Sequence, residues 1–246
     1  MADAGLTPGQ TAAAVKDAVG GWGLAWMSDA GVRARGKAEH GLRGRPLYHL
    51  GRAGALGDVS VETVIAVEAF FPPEVVRAAW DEGRALMEPL EAARAYAGYC
   101  SDLFRERYGD RPELDRLVAL LEKVVDGAEP AGLPLFAAWR ALPRPADAAG
   151  RCGLLLNVLR EHRGSVHAAA CAAMGLGPLE AIVAGSYGEG NARFFEWAEP
   201  YPDPDPWRAR WDAAEDLTSA AAGRAYDNLI SDERTELVAL VHAVLC

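Results

Sequence analysis

Apolar positions along the chain recur at three- and four-residue spacing, and almost nowhere at alternate positions, which predicts a mainly α-helical protein. Ala92, Tyr96, Tyr99, Cys100, Leu103 and Phe104 form one stripe and predict a helix over Glu91–Tyr108. Leu114, Leu117, Val118, Leu121, Val124 and Val125 form another, opened by Pro112. Residues 1–10 read as a loose tail. A helix from Pro8 or Thr11 is expected to break at Gly20-Gly21, with a second piece over Trp22–Ala30. Four glycines then interrupt residues 31–45, and Tyr48–Ala55 is a short helix. Ser60 can cap Val61–Phe71, which Pro72-Pro73 ends, and Pro73 opens a helix to about Leu86. After a turn-rich segment, Leu135–Leu142 is short, and Pro143–Gly150 reads as a linker.

In the second half Cys152–His162 is helical, Gly164 breaks it, and Ser165 can cap Val166–Met174. Gly175-Leu-Gly177 turns into Leu179–Tyr187, which makes a helix, a glycine turn and a helix. Gly188–Asn191 with Arg193–Trp197 suggests a β-hairpin wing, and Glu199–Pro206 is extended. Trp207–Gly223 and Ser231–Leu245 close the chain as helices.

The pattern also repeats. Arg77-Ala-Ala-Trp80-Asp81 answers Arg208-Ala-Arg-Trp211-Asp212, and Arg94-Ala-Tyr96 answers Arg224-Ala-Tyr226. Leu56-Gly57 answers Leu176-Gly177, Glu62 answers Glu180, and Phe70-Phe71 answers Phe194-Phe195. The offsets run between about 118 and 131, as loop insertions would make them. The expected architecture is therefore mainly α, with tandem duplicated winged-helix-like lobes, pseudo-two-fold symmetry and minor β wings. The first lobe with its N-terminal helices would span residues 1–142, a linker 143–150, and the second lobe 151–246. Trp80 and Trp211 would be matching core anchors.

The 246 residues are half apolar, which suits a globular chain with a sizeable core. The net charge of −10 opposes nucleic acid unless positive charge is segregated. Arg33, Arg35, Lys37, Arg43, Arg45 and Arg52 are so segregated, with Glu39 as the one acid among them. The two candidate recognition helices, Val61–Phe71 and Leu179–Tyr187, hold no basic residue, so duplex DNA is not an expected partner. Cys100, Cys152, Cys171 and Cys246 show no Cys-x-x-Cys spacing, and reduced thiols are expected. No signal peptide and no run of about 18 apolar residues is visible, so a cytoplasmic chain with no membrane partner is expected.

The densest reactive segment is Arg160-Glu161-His162-Arg163-Gly164-Ser165-Val166-His167. On an unbroken helix, residues five apart point about 140° from each other. A break at Gly164 would let His162 and His167 share a pocket. The alternative is that His162 caps carbonyls and His167 packs inside a helix. No third or fourth ligand at metal spacing accompanies them, so no metal site and no cofactor is expected. Gly51-Arg-Ala-Gly54-Ala-Leu-Gly57 has dinucleotide-like glycines but no preceding strand, and reads as a turn.

Tyr48-x-x-Gly51-Arg52-x-x-x-Leu56-Gly57, Phe70-Phe71-Pro72-Pro73 and Glu161-His162-Arg163-Gly164-x-x-His167 resemble the actinobacterial helix-turn-helix family named after SalK, a protein of a salinomycin gene cluster. The resemblance covers most of the chain from about Tyr48. It departs from the family pattern at Gly54-Ala55 and at Ser165-Val166. It implies a place in natural-product metabolism and transfers no activity.

The expected function is small-molecule binding, in the catalytic form a cofactor-free tailoring enzyme of dehydratase, cyclase or isomerase type. His162 and His167 would move the proton. Arg52 and Arg163 would hold a carboxylate or enolate, and Tyr48, Phe70 and Phe71 would wall the pocket. The expected ligand is a small anion, polyketide-like by the resemblance, and a homodimer is compatible with this reading. Two alternatives stay open: a DNA-binding helix-turn-helix transcriptional regulator using the Arg33–Arg52 cluster, and a non-catalytic ligand-binding or resistance protein.

Overall fold

The computed structural model describes residues 5–246. Among these residues it contains thirteen α-helices, a few 3-10 turns and no strand. The mainly helical expectation holds, and the β wings do not form. The helices are α1 (Pro8–Met27), α2 (Ala30–His40), α3 (Gly44–Ala53), α4 (Val61–Glu68), α5 (Pro73–Arg84), α6 (Pro89–Tyr108) and α7 (Leu114–Gly127). They continue as α8 (Pro134–Arg140), α9 (Ala148–Ala173), α10 (Pro178–Ala184), α11 (Gly188–Phe194), α12 (Arg208–Gly223) and α13 (Ser231–Leu245).

The centre of the molecule is α9, which touches α1, α6, α7, α8 and α12. From Cys152 to Leu159 every side chain on it is buried, as befits a helix surrounded on all sides. Asp147 starts it by accepting from the Gly150 amide at 2.8 Å. Gly153 is where α9 meets α6, because a Cβ there would lie 2.5 Å from Phe104 Cβ. Two indoles of α1 fasten to the same helix: Trp22 donates to the Gly153 carbonyl at 3.1 Å and Trp26 to Asn157 Oδ1 at 3.2 Å. Burying such rings while keeping each N–H bonded gives a large apolar contribution without an orphan donor.

Gly164 does not break this helix. The chain runs through it for 26 residues, because one interior glycine costs only about 1 kcal/mol and the burial of the preceding turns outweighs that. Ser165 is therefore an interior residue and caps nothing. The same reasoning applies to Gly20-Gly21, which α1 crosses with Val15, Val19, Trp22 and Trp26 buried along one face. Residues 31–45 are two helices: Asp29 caps α2 through the Gly31 and Val32 amides, and Gly41, left-handed at φ 71°, ends it. The helix expected over Val61–Phe71 begins at the Ser60 cap as foreseen, but stops at Glu68, since Ala69 adopts φ 27°. An alanine held there stores strain of about 1–3 kcal/mol. The stretch expected to form a wing is α11 followed by a turn, with Ala192 buried beside Ile182 and Val183.

One hydrophobic core takes residues from both sides of 143–150, from Ala12 to Val244. Trp80 is fully buried in it, whereas Trp211 is half-buried against a small separate cluster of Ala170, Cys171, Leu176, Ala181 and Ala214. The two tryptophans thus occupy unlike surroundings, which removes the main support for the expected duplication of lobes.

Candidate functional site

Two places concentrate charge: an interior cluster between α3, α4 and α9, and the outer face of α2. In the interior, the Arg52 guanidinium donates to Glu161 through Nε (3.0 Å to Oε1) and Nη2 (2.8 Å to Oε2), and to Glu68 Oε2 through Nη1 at 2.5 Å. Arg160 donates to Glu161 Oε1 at 2.7 Å. Both carboxylates have no exposed side-chain surface. Burial pushes each upward, but for Glu161 the charges of Arg52 and Arg160 outweigh it, and for Glu68 that of Arg52. Both carboxyls end below their ordinary range. His49 is also wholly buried, with Nδ1 3.6 Å from Glu68 Oε1. Arg52, expected to grip a ligand, is therefore committed to two carboxylates and forms part of a wall.

That wall bounds a cavity of about 240 Å³ between α1, α3, α9 and α12. Tyr48, Phe70 and Phe71 line it as expected, together with Arg163 and His167 of α9. On α12, Glu215 Oε2 accepts from Arg163 at 2.8 Å and from Lys16 of α1 at 3.2 Å, while Oε1 lies 3.2 Å from His167 Nδ1. The Thr218 hydroxyl donates to the Ala214 carbonyl at 2.6 Å, so towards His167 Nδ1, 3.1 Å away, it can only accept. The imidazole accordingly carries its proton on Nδ1, and its Nε2 accepts from the Cys171 thiol at 3.5 Å. Burial, with Arg163 and Lys16 adding to it, lowers the pKa of His167 against the pull of Glu215, which favours the neutral ring.

His162 does not join it. On an unbroken α9 the two rings point to different sides. His162 lies against the Phe136 ring at 4.8 Å with Nδ1 buried and unpartnered. Burial, then the charge of Arg140, pushes its pKa down to about 4. A shared histidine pair is therefore corrected to one histidine at the cavity and one in the core. The sequence assigned no role to the partners Glu68, Glu161, Lys16, Arg160 and Glu215, although two of them carry a readable signal. Glu161 stands on the stripe Leu154, Val158, and Glu68 on the stripe Val61, Val64, so each is an acid at a buried position.

The second place is α2, which turns into α3 through Gly41-Leu42-Arg43 with Leu42 buried. Gly36 lets the two helices close, since a Cβ there would lie 2.6 Å from Leu47 Cδ2. This is helix, three-residue turn, helix. Of the six cations noted in the sequence, Arg52 is buried, Arg45 pairs with Glu196 at 2.6 Å, and Arg35 pairs with Glu39 and Asp102. Arg33, Lys37 and Arg43 are exposed, and among the described residues none has a carboxylate partner. Ala34 and Ala38, opposite the buried Val32 and Gly36, leave the outer face low. A second turn of this kind joins α9 to α10 with a bend of 104°, and α10 buries four of its seven residues and carries only Glu180.

A family model described as a helix-turn-helix family matches residues 24–213. The chain belongs to this helix-turn-helix family. Comparison with curated proteins and with solved structures finds no match to either. Membership overturns the expectation that DNA is not a partner. That expectation looked for cations on α4 and α10, both short, of which α10 turns four of its seven residues inward. Within the basic run, the cations without a carboxylate partner among the described residues, Arg33, Lys37 and Arg43, sit on α2 and its turn. Among the described residues no single helix is long and apolar enough to cross a membrane.

Proposed function

We propose that the protein is a DNA-binding helix-turn-helix regulator that meets the phosphate backbone with α2 and the turn after it. The observation that carries this reading is the outer face of α2: small at Ala34 and Ala38, flanked by Arg33 and Lys37, continued by Arg43, and free of carboxylate partners among the described residues. α3 cannot supply that face, because seven of its ten residues are buried. Three phosphate contacts would give a salt slope of roughly −3 in log K against log salt. The test is fluorescence anisotropy with labelled duplexes, including a pool selected by the protein from random sequence, at several salt concentrations. Arg33→Ala, Lys37→Ala and Arg43→Ala should each lower the slope by about 1. No binding below about 100 µM at low salt, or a triple variant that binds like the wild type, ends this reading.

A second reading, a small-molecule site in the interior, is supported by the cavity that Arg163, His167, Tyr48, Phe70 and Phe71 line. It serves an effector-binding regulator and a catalyst alike. In a catalyst, His167 Nε2 would be the base, with His162 taking no part.

A further inference from the structure

Two cavities meet at the segment Val67–Phe71. The first, of about 240 Å³, is charged. The second, of about 750 Å³, is lined by Ile65, Leu135, Ala169, Leu176, Trp197 and other uncharged residues. Val67, Ala69, Phe70, Phe71 and Ala168 belong to both walls. Around the charged cavity, Lys16, Arg52, Arg160 and Arg163 face the carboxylates of Glu68, Glu161 and Glu215. Four cations against three carboxylates leave one positive charge unanswered while His167 is neutral. The least buried of these cations are Lys16, Arg160 and Arg163, with side chains 36%, 28% and 20% exposed. They are the ones a ligand can reach.

We propose that these cavities form one binding site for an amphipathic monocarboxylate, its carboxylate held by Arg163 and Lys16 and its apolar body passing Phe70 into the larger cavity. This rests on the interior small-molecule reading and holds whether or not the protein binds DNA. A single unanswered charge selects a monoanion over a dianion. The carboxylate would share with Glu215 the N–H donors of Arg163 and Lys16, which lie 2.8 and 3.2 Å from Glu215. A purely polar anion would leave the apolar cavity unfilled, and a neutral apolar molecule would leave the cation unanswered.

The test uses the full chain in a thermal-shift screen followed by calorimetric titration. The probes are decanoate, dodecanoate and anthracene-9-carboxylate, each beside its primary amide, with dodecyl phosphate and inorganic phosphate as dianion controls. The expected result is one-to-one binding of at least one carboxylate, tenfold or more tighter than its amide and than dodecyl phosphate. Arg163→Gln and Lys16→Gln should each weaken it at least fivefold, and Ala168→Trp, on the shared wall, should abolish it. Lys16 is at the rim, so Lys16→Gln remains informative if Arg163→Gln is poorly folded. Overturning results are no binding by any carboxylate, equal binding of acid and amide, preference for dodecyl phosphate, or wild-type affinity in Lys16→Gln. Lys37→Ala and Arg43→Ala, which disable the proposed DNA face, should leave carboxylate affinity unchanged, so the two readings fail separately.

Discussion

Replacing Arg52 by methionine should destabilise the protein strongly at neutral pH and less at acid pH. Among the described residues the guanidinium is the only arginine or lysine group bonded to Glu68 and one of two bonded to Glu161, and neither carboxylate reaches solvent. Methionine fills much of the space but leaves two buried negative charges, one of them with no charged hydrogen-bond donor. Breaking a buried pair by removing one partner costs about 3–5 kcal/mol. For a chain of this size each kcal/mol lowers Tm by about 2–4 °C, so the expected loss is roughly 6–20 °C. The pH dependence has a definite sign. In the wild type both carboxyls are held below their ordinary range, so their contribution is complete above the unfolded value near 4.3 and is lost as pH falls through the lower folded value. In Arg52→Met the folded carboxyls rise above the unfolded value, so the folded state takes up protons first and gains stability as pH falls. The gap in Tm between wild type and variant should therefore narrow from pH 7.5 to pH 5. Calorimetric scans at both values measure it, with Arg35→Met, at an exposed pair, as a control expected to change stability by no more than about 1 kcal/mol. A Tm loss under about 2 °C, outside the range expected for breaking a buried pair, or a gap that widens on acidification, would refute the account of this cluster.

Two further outcomes follow from the fold. His162→Leu should stay within about 1.5 kcal/mol of the wild type at pH 7.5, because it removes a ring whose Nδ1 is unpartnered in the core. The wild type holds His162 neutral down to about pH 4, while the unfolded chain protonates near 6.5. Wild-type stability should therefore drop as pH falls between those values, and urea titrations should find that slope reduced in His162→Leu; an unaltered slope rejects the assignment. Trp80→Ala should cost about 3–5 kcal/mol, and Trp211→Ala less than half of that, since only the first is fully buried; equal losses in denaturant unfolding would restore the two as matching anchors.

The helical class was legible because apolar spacing reports directly on one-sided burial, and starts such as Ser60 and Pro73 were legible because capping and proline chemistry are local. Gly164 and Gly20-Gly21 misled for the converse reason: a local cost of about 1 kcal/mol at each glycine is decided by burial on helices far away in sequence. Tyr48, Phe70, Phe71, Arg163 and His167 were picked from the sequence and do line one cavity. Arg52 was assigned the wrong partner, because Glu161 lies 109 residues from it and no spacing rule links them. His162 fell out of the site with the helix break that would have turned it. The basic run was visible, but which of its members stay unpaired depends on Glu196 and Asp102, which arrive from distant parts of the chain.

The position of α1 sets a timetable for synthesis. Its buried face, Val15, Val19, Trp22 and Trp26, rests on α9, and it also packs on α12 and α13. Lys16 waits 199 residues for Glu215, and the Ala14 carbonyl waits 228 for His242. At roughly 5–20 residues per second, translation leaves the first of these intervals open for about 10–40 s. For the first part of that time, until Gly153 and Asn157 are made 131 residues later, the two indoles lack the α9 acceptors they bond in the finished molecule, and the ribosome exit or a holding chaperone can shelter them. Slow codons placed after α1 would lengthen this exposure without changing a single contact in the finished molecule.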